Sequence, residues 1–75
     1  MKRQEHQTPE VPPVGARVRL RFGVTDVVAL VIEHRGPLGV GGKQIIRVRF
    51  QFGEVEEPIE IELPVDRVTV VDPAA

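Results

Sequence analysis

Few residue types in this chain could do chemistry. The sequence contains no Ser, Cys, Tyr, Trp or Asn, and side-chain hydroxyl groups are limited to three threonines. Imidazole groups occur only at His6 and His34, and neither has a second imidazole or a thiol at a metal-ligand spacing. We therefore expect no metal site and no cofactor, with both histidines facing solvent.

Glu60 and Glu62 form the one obvious pair of carboxylates. On an extended strand, alternate residues share a face and lie about 7 Å apart. Acid–base catalysis by such a pair needs a carboxyl group with a raised pKa, whereas arginines are expected opposite these two. We therefore predict that the glutamates are not catalytic and that the chain is not an enzyme.

A glycine-rich segment, residues 36–43, resembles a phosphate-binding loop at first sight. Its first glycine lies one residue too far from the Gly-Lys pair, and Gln44 stands where a Ser or Thr would bind magnesium. The segment is therefore predicted to be a flexible hairpin loop. Leu38 and Val40 are apolar residues in this loop, and they either pack on the core or form a small contact patch.

Charge is distributed unevenly along the 75 residues, whose formal net charge is −1. Residues 14–53 carry seven basic side chains against two acidic ones, whereas residues 54–75 carry seven acidic side chains against one basic one. Arginines at alternate positions form two basic stripes, namely Arg17, Arg19 and Arg21 in the first and Arg47 and Arg49 in the second. Such stripes either bind an anionic partner or pair with the acidic half of the chain.

The two stripes differ in their expected neighbours. If the strand of Arg47 and Arg49 pairs with the following strand, both arginines face Glu60 or Glu62 and are structural. The first stripe is expected beside strands two and five, which offer few acids. We therefore predict a binding surface that combines the first stripe with the two apolar loop residues: Arg17, Arg19, Arg21, Leu38 and Val40.

The alternation of apolar and polar residues predicts the elements that carry these side chains. Residues 44–52 have apolar side chains at every second position, which is typical of a strand with one buried and one wet face. We take this segment as the central strand of an all-β domain with no α-helix. The remaining predicted elements are strands over 16–22, 25–33, 59–63 and 68–71, and a 3₁₀ turn over 64–67.

The predicted core consists of inward-facing residues of these strands: Val18, Leu20, Phe22, Val48, Phe50, Ile61 and Val70. Residues 1–13 are polar and proline-rich and are predicted to be a flexible tail, residues 14–72 the domain, and residues 73–75 a frayed end. The N-terminus has no apolar segment typical of a signal peptide, and no apolar run is long enough to span a bilayer. We expect a cytoplasmic protein without a membrane partner.

Five short strands with a 3₁₀ turn before the last one resemble the SH3-like barrel. The segments that carry the resemblance are Gly-Ala-Arg-Val-Arg-Leu at 15–20, Ile-Arg-Val-Arg-Phe at 46–50, and the closing turn and strand at 63–71. The resemblance covers residues 14–72 and implies a small five-stranded barrel. It does not select a function, because this fold serves adaptors, nucleic-acid binders and one reductase.

Subfamilies of this fold differ in the residues that they require. Peptide-binding SH3 domains and Tudor-type readers use Tyr and Trp, which this chain lacks. KOW-type nucleic-acid modules carry a glycine before strand two, where this chain has Val24, Thr25 and Asp26. The type II dihydrofolate reductase is similar in length and strand order, but it has Val-Gln-Ile-Tyr where this chain has Ile-Glu-Ile-Glu at 59–62. Small barrels docked on larger assemblies, such as the photosystem I accessory subunit, are similar in size and layout.

The sequence therefore predicts a non-catalytic interaction module that binds a protein partner or itself. The alternative is a nucleic-acid-binding module that uses the strand-one arginines, and a more distant alternative is an oligomeric reductase. The second predicted strand is apolar on both faces over residues 27–32, so its outer side is expected to be covered. Either a second copy of the chain in a homodimer or higher oligomer, or the N-terminal tail, could provide that cover.

Overall fold

Residues 10–73 of the computed structural model can be described, and they form one antiparallel sheet. The strands and 3₁₀ turns, in chain order, are β1 (Arg17–Phe22), β2 (Thr25–Gly36), a turn at Val40–Gly42, β3 (Ile45–Phe50), β4 (Ile59–Pro64), a turn at Val65–Arg67 and β5 (Val68–Asp72). Within this part of the chain there is no α-helix, and none of its helical turns is long and apolar enough to cross a membrane. The all-β prediction and the 3₁₀ turn before the last strand are confirmed.

The strand order across the sheet is β4-β3-β2-β1-β5. Strands β1 to β4 each pair with the next strand in sequence, as in a meander, whereas β5 returns to lie beside β1. The predicted barrel is not closed, because β4 and β5 are the two edges of the sheet. Strand β2 runs on to Gly36, beyond its predicted end, and its pairing with β3 shifts register between Val31 and Glu33 and again between His34 and Gly36.

The core lies on one face of the sheet, with an inward-facing residue at every second position of the central strands. Buried hydrophobic side chains are contributed by Ala16, Val18, Leu20, Ala29, Val31, Ile46, Val48, Phe50 and Val65. Phe22 and Ile61 pack against this cluster and are partly buried, so six of the seven predicted core residues contribute to the core. The seventh prediction is wrong: Val70 is 44% exposed, because it lies on an edge strand with nothing hydrogen-bonded on its far side among the described residues.

An aromatic cluster and a 3₁₀ turn close the two ends of the core. The ring centroid of Phe22 lies 5.0 Å from that of Phe50 and 5.2 Å from that of Phe52, both in edge-to-face geometry. At the other end, the turn after β4 buries Val65, whose backbone N–H donates to the carbonyl oxygen of Gln44 at 3.0 Å. Strands β4 and β5 complete the core with side chains that are only partly buried, namely Ile59, Ile61, Leu63 and Val68.

The segment before β1 lies on the core from residue 11 onward. Val11 packs against the core and Pro12 is buried, whereas Val14 is exposed. The Nε2–H of His34 donates to the carbonyl oxygen of Pro12 at 2.7 Å, which fixes this segment beside the end of β2. Residues 1–9 of the predicted tail and residues 74 and 75 of the predicted frayed end lie outside the described residues.

Candidate interaction surface

The outer face of the sheet, opposite the core, carries both arginine stripes. Val18 and Leu20 of β1 are buried on the core side, so the intervening Arg17 and Arg19 are held on the outer side by the pleat of the strand. Arg47 and Arg49 of β3 reach the same face in the same way, because the alternate residues Ile46, Val48 and Phe50 point into the core. All these guanidinium groups therefore project from one side of the molecule, and their immediate neighbours decide what each can do.

The β3 arginines are paired within the chain. Arg47 lies opposite Glu62 and Arg49 opposite Glu60 in the register of β3 with β4. An Nη2 atom of Arg47 lies 2.7 Å from Glu62 Oε2, and the Nε and Nη2 atoms of Arg49 each lie 2.9 Å from Glu60 Oε2. The predicted pairing of this stripe with Glu60 and Glu62 is confirmed.

Glu33 and Arg35 of β2 extend these pairs into a network across three strands. The Nη1 atom of Arg35 lies 2.9 Å from Glu33 Oε2, and its Nε atom lies 3.3 Å from Glu62 Oε2. The hydrogen bond from Arg47, followed by the positive charges of Arg35 and Arg47, lowers the pKa of the Glu62 carboxyl below its ordinary value.

The β1 arginines have different surroundings. Arg21 is paired, since its Nε atom lies 3.0 Å from Asp26 Oδ1 across the short β1–β2 turn. No ion pair joins Arg17 or Arg19 to another of residues 10–73, although Asp72 of β5 lies opposite Arg17 in the β1–β5 register. In the sheet register, Arg19 lies between Val28 of β2 and Thr69 of β5, neither of which carries a charge. Two of the three predicted binding arginines thus keep their hydrogen-bond donors accessible, whereas the third is engaged with Asp26.

Aliphatic side chains of β2 lie directly beside these two arginines. Arg17 is opposite Leu30 and Arg19 is opposite Val28 in the β1–β2 register. Val28 is 52% exposed and Leu30 is partly buried. We call the surface formed by Arg17, Arg19, Val28 and Leu30 the β1–β2 patch. It combines two guanidinium groups with an apolar floor, and it can hold a ligand that carries carboxylates or phosphates next to apolar groups.

The apolar floor, Val28 and Leu30, belongs to β2, the strand whose outer side was expected to be covered. Within the described residues, Leu30 and Ile32 are partly covered, and Val28 remains half-exposed. The long aliphatic stems of neighbouring arginines can shield such residues while the charged heads stay in water. The contribution of Val28 and Leu30 to the candidate surface was missed at the level of sequence, although the two-sided apolar pattern of β2 was its signal.

The two apolar residues predicted to join the binding surface lie elsewhere. Leu38 and Val40 are in the loop between β2 and β3, beyond the end of the sheet where Gly36 pairs with Ile45. They are 69% and 92% exposed, so the alternative that they pack on the core is wrong. The topology therefore places them apart from the β1 arginines, and they form a separate exposed feature.

Internal contacts give this loop a defined shape. Its backbone makes hydrogen bonds from the N–H of Gly39 to the carbonyl oxygen of Lys43 and from the N–H of Gly42 to that of Gly39, both at 2.9 Å. The Nζ atom of Lys43 lies 2.6 Å from Asp66 Oδ2, which ties the loop to the 3₁₀ turn before β5 and lowers the pKa of the Asp66 carboxyl. Gly39 allows the close approach, because a Cβ atom there would lie 3.0 Å from Ile45 Cδ1 and from the carbonyl oxygen of Lys43.

The remaining candidate side chains have structural surroundings. His34 is exposed and donates its hydrogen bond to the segment before β1, while His6 lies outside the described residues. Among residues 10–73, no group of three or more His, Cys, Asp or Glu side chains is arranged to hold a metal ion. The β1–β2 patch therefore remains the candidate interaction surface of the sheet.

Comparisons of the chain with protein-family models, with curated proteins and with solved structures found no match. The relation to the SH3-like barrel accordingly stays a resemblance in strand order and turn position. The described residues establish the coarser statement, that this is a small antiparallel β domain of five strands.

Proposed function

We propose that this chain is a non-catalytic interaction module that binds an acidic protein segment through the β1–β2 patch. The observation that supports the proposal is the contrast between two arginine pairs on one face of the sheet. Arg47 and Arg49 are matched by glutamates of the neighbouring strand. No ion pair joins Arg17 or Arg19 to another of residues 10–73, although Asp72 of β5 lies opposite Arg17 in the β1–β5 register. Unshared guanidinium donors at a surface are favourable sites for carboxylate recognition.

The β3–β4 pair inside this domain indicates what a matching ligand looks like. There, an Arg-Val-Arg sequence in β3 meets a Glu-Ile-Glu sequence in β4. Strand β1 has the same Arg-Val-Arg sequence at residues 17–19. A ligand for the β1–β2 patch would therefore present two carboxylates about 7 Å apart, the spacing of alternate residues on a strand. The residue between them would point away from the patch, so a further apolar group of the ligand would be needed to cover Val28 and Leu30.

The apolar floor favours a protein ligand over a nucleic acid. Protein interfaces characteristically join arginines to buried apolar groups. Nucleic-acid binding depends instead on many phosphate contacts, and two arginines on a chain of net charge −1 provide few of them. The nucleic-acid module remains the alternative function, and its salt dependence distinguishes it from the proposed one.

Selection from a random peptide library displayed on phage tests the proposal and does not require the natural partner to be identified. Wild-type protein is the bait, and the Arg17→Gln/Arg19→Gln variant is used to remove peptides that bind elsewhere. We expect enrichment of peptides with acidic residues at alternate positions. The double variant should bind such a peptide at least about tenfold more weakly, because charge-assisted hydrogen bonds are lost.

Arg21→Gln is the matched control, since Arg21 lies on the same strand and face but is paired with Asp26. It should leave peptide affinity nearly unchanged. Absence of acidic enrichment, or equal binding by the wild type and the Arg17/Arg19 variant, would contradict the proposal. Fluorescence anisotropy with a random-sequence oligonucleotide at two salt concentrations tests the alternative, and an NADPH oxidation assay with dihydrofolate tests the reductase.

A further inference from the structure

The loop between β3 and β4, residues 51–58, carries three glutamates that differ from those of β4. Glu54, Glu56 and Glu57 are exposed, and no ion pair joins any of them to another of residues 10–73. The glutamates of β4, by contrast, are held by the β3 arginines. We call residues 51–58 the acidic loop. Its carboxylates are available to a cationic partner.

Hydrogen bonds give the acidic loop a defined shape. The Nε2 atom of Gln51 donates to the carbonyl oxygens of Glu56 at 2.7 Å and of Val55 at 3.3 Å. The N–H of Val55 donates to the carbonyl oxygen of Phe52 at 3.4 Å, and the ring of Phe52 contacts that of Phe22 beside the core. A loop ordered in this way loses less conformational entropy on binding than a free segment does.

The acidic loop and the β1–β2 patch are complementary in charge and in polarity. The patch places two guanidinium groups beside Val28, which is 52% exposed. The loop places carboxylates beside Val55, which is 55% exposed. Carboxylates of the loop can accept hydrogen bonds from the guanidinium groups while the two valines exclude water from each other. Each surface therefore offers the groups that the other lacks.

Within one folded chain these two surfaces do not pair. Strand β2 lies between β1, which carries the patch arginines, and β3, which precedes the loop. No ion pair joins a glutamate of the acidic loop to Arg17 or Arg19 in the described part of the chain. The contact is therefore available to two molecules rather than to one.

We propose that the β1–β2 patch of one chain binds the acidic loop of a second copy, so that the chain associates with itself. This inference rests on the function proposed above and names a partner for the same site. Charge complementarity supports this occupant, because residues 14–53 carry seven basic side chains against two acidic ones and residues 54–75 carry the reverse excess. The contact would also cover Val28 on the outer side of β2, the side that was expected to be covered.

Sedimentation velocity of the full chain over a range of concentrations tests the inference. Wild-type protein should shift from monomer to larger species as its concentration rises, and added salt should weaken this association because it screens the charges. Arg17→Gln/Arg19→Gln neutralises the patch, and Glu54→Gln/Glu56→Gln neutralises the loop. Each variant should raise the dissociation constant of self-association at least about tenfold, because charge-assisted hydrogen bonds are lost.

A mixture of the two variants tests whether these surfaces bind each other. The first variant keeps the acidic loop and the second keeps the patch, so the mixed pair can form one intact contact. Sedimentation with one variant fluorescently labelled should show mixed complexes at concentrations where neither variant associates with itself. Glu10→Gln is the matched control, since Glu10 is an exposed glutamate outside the loop that no ion pair joins to another of residues 10–73. It should associate as wild type, and circular dichroism should show that all variants are folded.

Peptide binding separates failure of this inference from failure of the proposed function. Glu54→Gln/Glu56→Gln keeps the patch, so at low protein concentration it should bind a selected acidic peptide as tightly as wild type. A wild-type chain that binds this peptide through Arg17 and Arg19 but stays monomeric up to submillimolar concentration would overturn the self-association alone. Equal peptide binding by wild type and the Arg17/Arg19 variant would overturn both.

Two further results would overturn the inference. One is self-association that the arginine changes weaken and the loop changes do not, because another acidic segment would then occupy the patch. The other is self-association that both double variants retain and Val70→Lys abolishes, because the β5 edge of the sheet would then be the interface.

Discussion

Phe50→Ala should remove most of the stability of this domain. Phe50 is 4% exposed, lies at the end of β3 opposite Ile59, and contacts the ring of Phe22. Truncation of a buried phenylalanine to alanine costs about 3–5 kcal/mol in free energy of unfolding, since apolar contact is lost and a cavity remains. Loss of the edge-to-face contact favours the upper part of that range. Small domains lie near the lower limit of the usual stability of ~5–15 kcal/mol.

Urea unfolding followed by circular dichroism at one fixed protein concentration measures this cost. Phe52→Ala is the matched control, because Phe52 is only partly buried and makes one such ring contact, with Phe22. It should lose clearly less stability. If Phe50→Ala is too unstable to measure, Phe50→Leu keeps most of the volume and should remain folded. A cost below ~1 kcal/mol for Phe50→Ala, or a cost equal to that of Phe52→Ala, would refute the assignment of Phe50 to the core.

The ion-pair network provides two further predictions. Replacing Arg47 and Arg49 by Glu places like charges opposite the glutamates of β4, so thermal melts should show a lower melting temperature. Added salt should partly restore the melting temperature, because it screens the repulsion. Destabilisation that does not depend on salt would contradict this prediction. The pKa values of Glu62 and Asp66 are lowered in the folded state, so their contribution to stability is complete above their unfolded values near ~4 and is lost as pH falls below them. Lys43→Gln removes the partner of Asp66, so the melting temperature of this variant should fall less on acidification than that of wild type. Equal melting temperatures of variant and wild type from neutral to acid pH would contradict this prediction.

Patterns of period two were sufficient to predict much of the fold. The alternation of Val18 and Leu20 with arginines, and of Val48 and Phe50 with arginines, located β1 and β3 and their buried faces. The same patterns placed Arg47 and Arg49 opposite glutamates, because consecutive strands in a meander pair antiparallel. Local alternation states which face a residue occupies, and pairing of neighbours in sequence then supplies its partner.

Features that depend on distant parts of the chain could not be predicted in this way. The exposure of Val70 follows from the position of β5 at an open edge, and nothing in the pattern of β5 itself distinguishes an edge from a closed barrel. One local pairing was also missed, because spacing alone does not separate Arg21 from Arg17 and Arg19. Its pairing with Asp26 depends on a tight turn at Gly23, where a φ of 65° is favourable for glycine.

Two double variants with the same chemical change test most directly the central claim, that one arginine pair binds a partner and the other supports the fold. Thermal melting and affinity for a selected acidic peptide are measured for Arg17→Gln/Arg19→Gln and for Arg47→Gln/Arg49→Gln. The first should melt as wild type, because exposed charges contribute little to stability, and should lose affinity at least about tenfold. The second should melt at a lower temperature and keep its affinity. Equal destabilisation of both variants, with peptide binding intact in the first, would contradict the account.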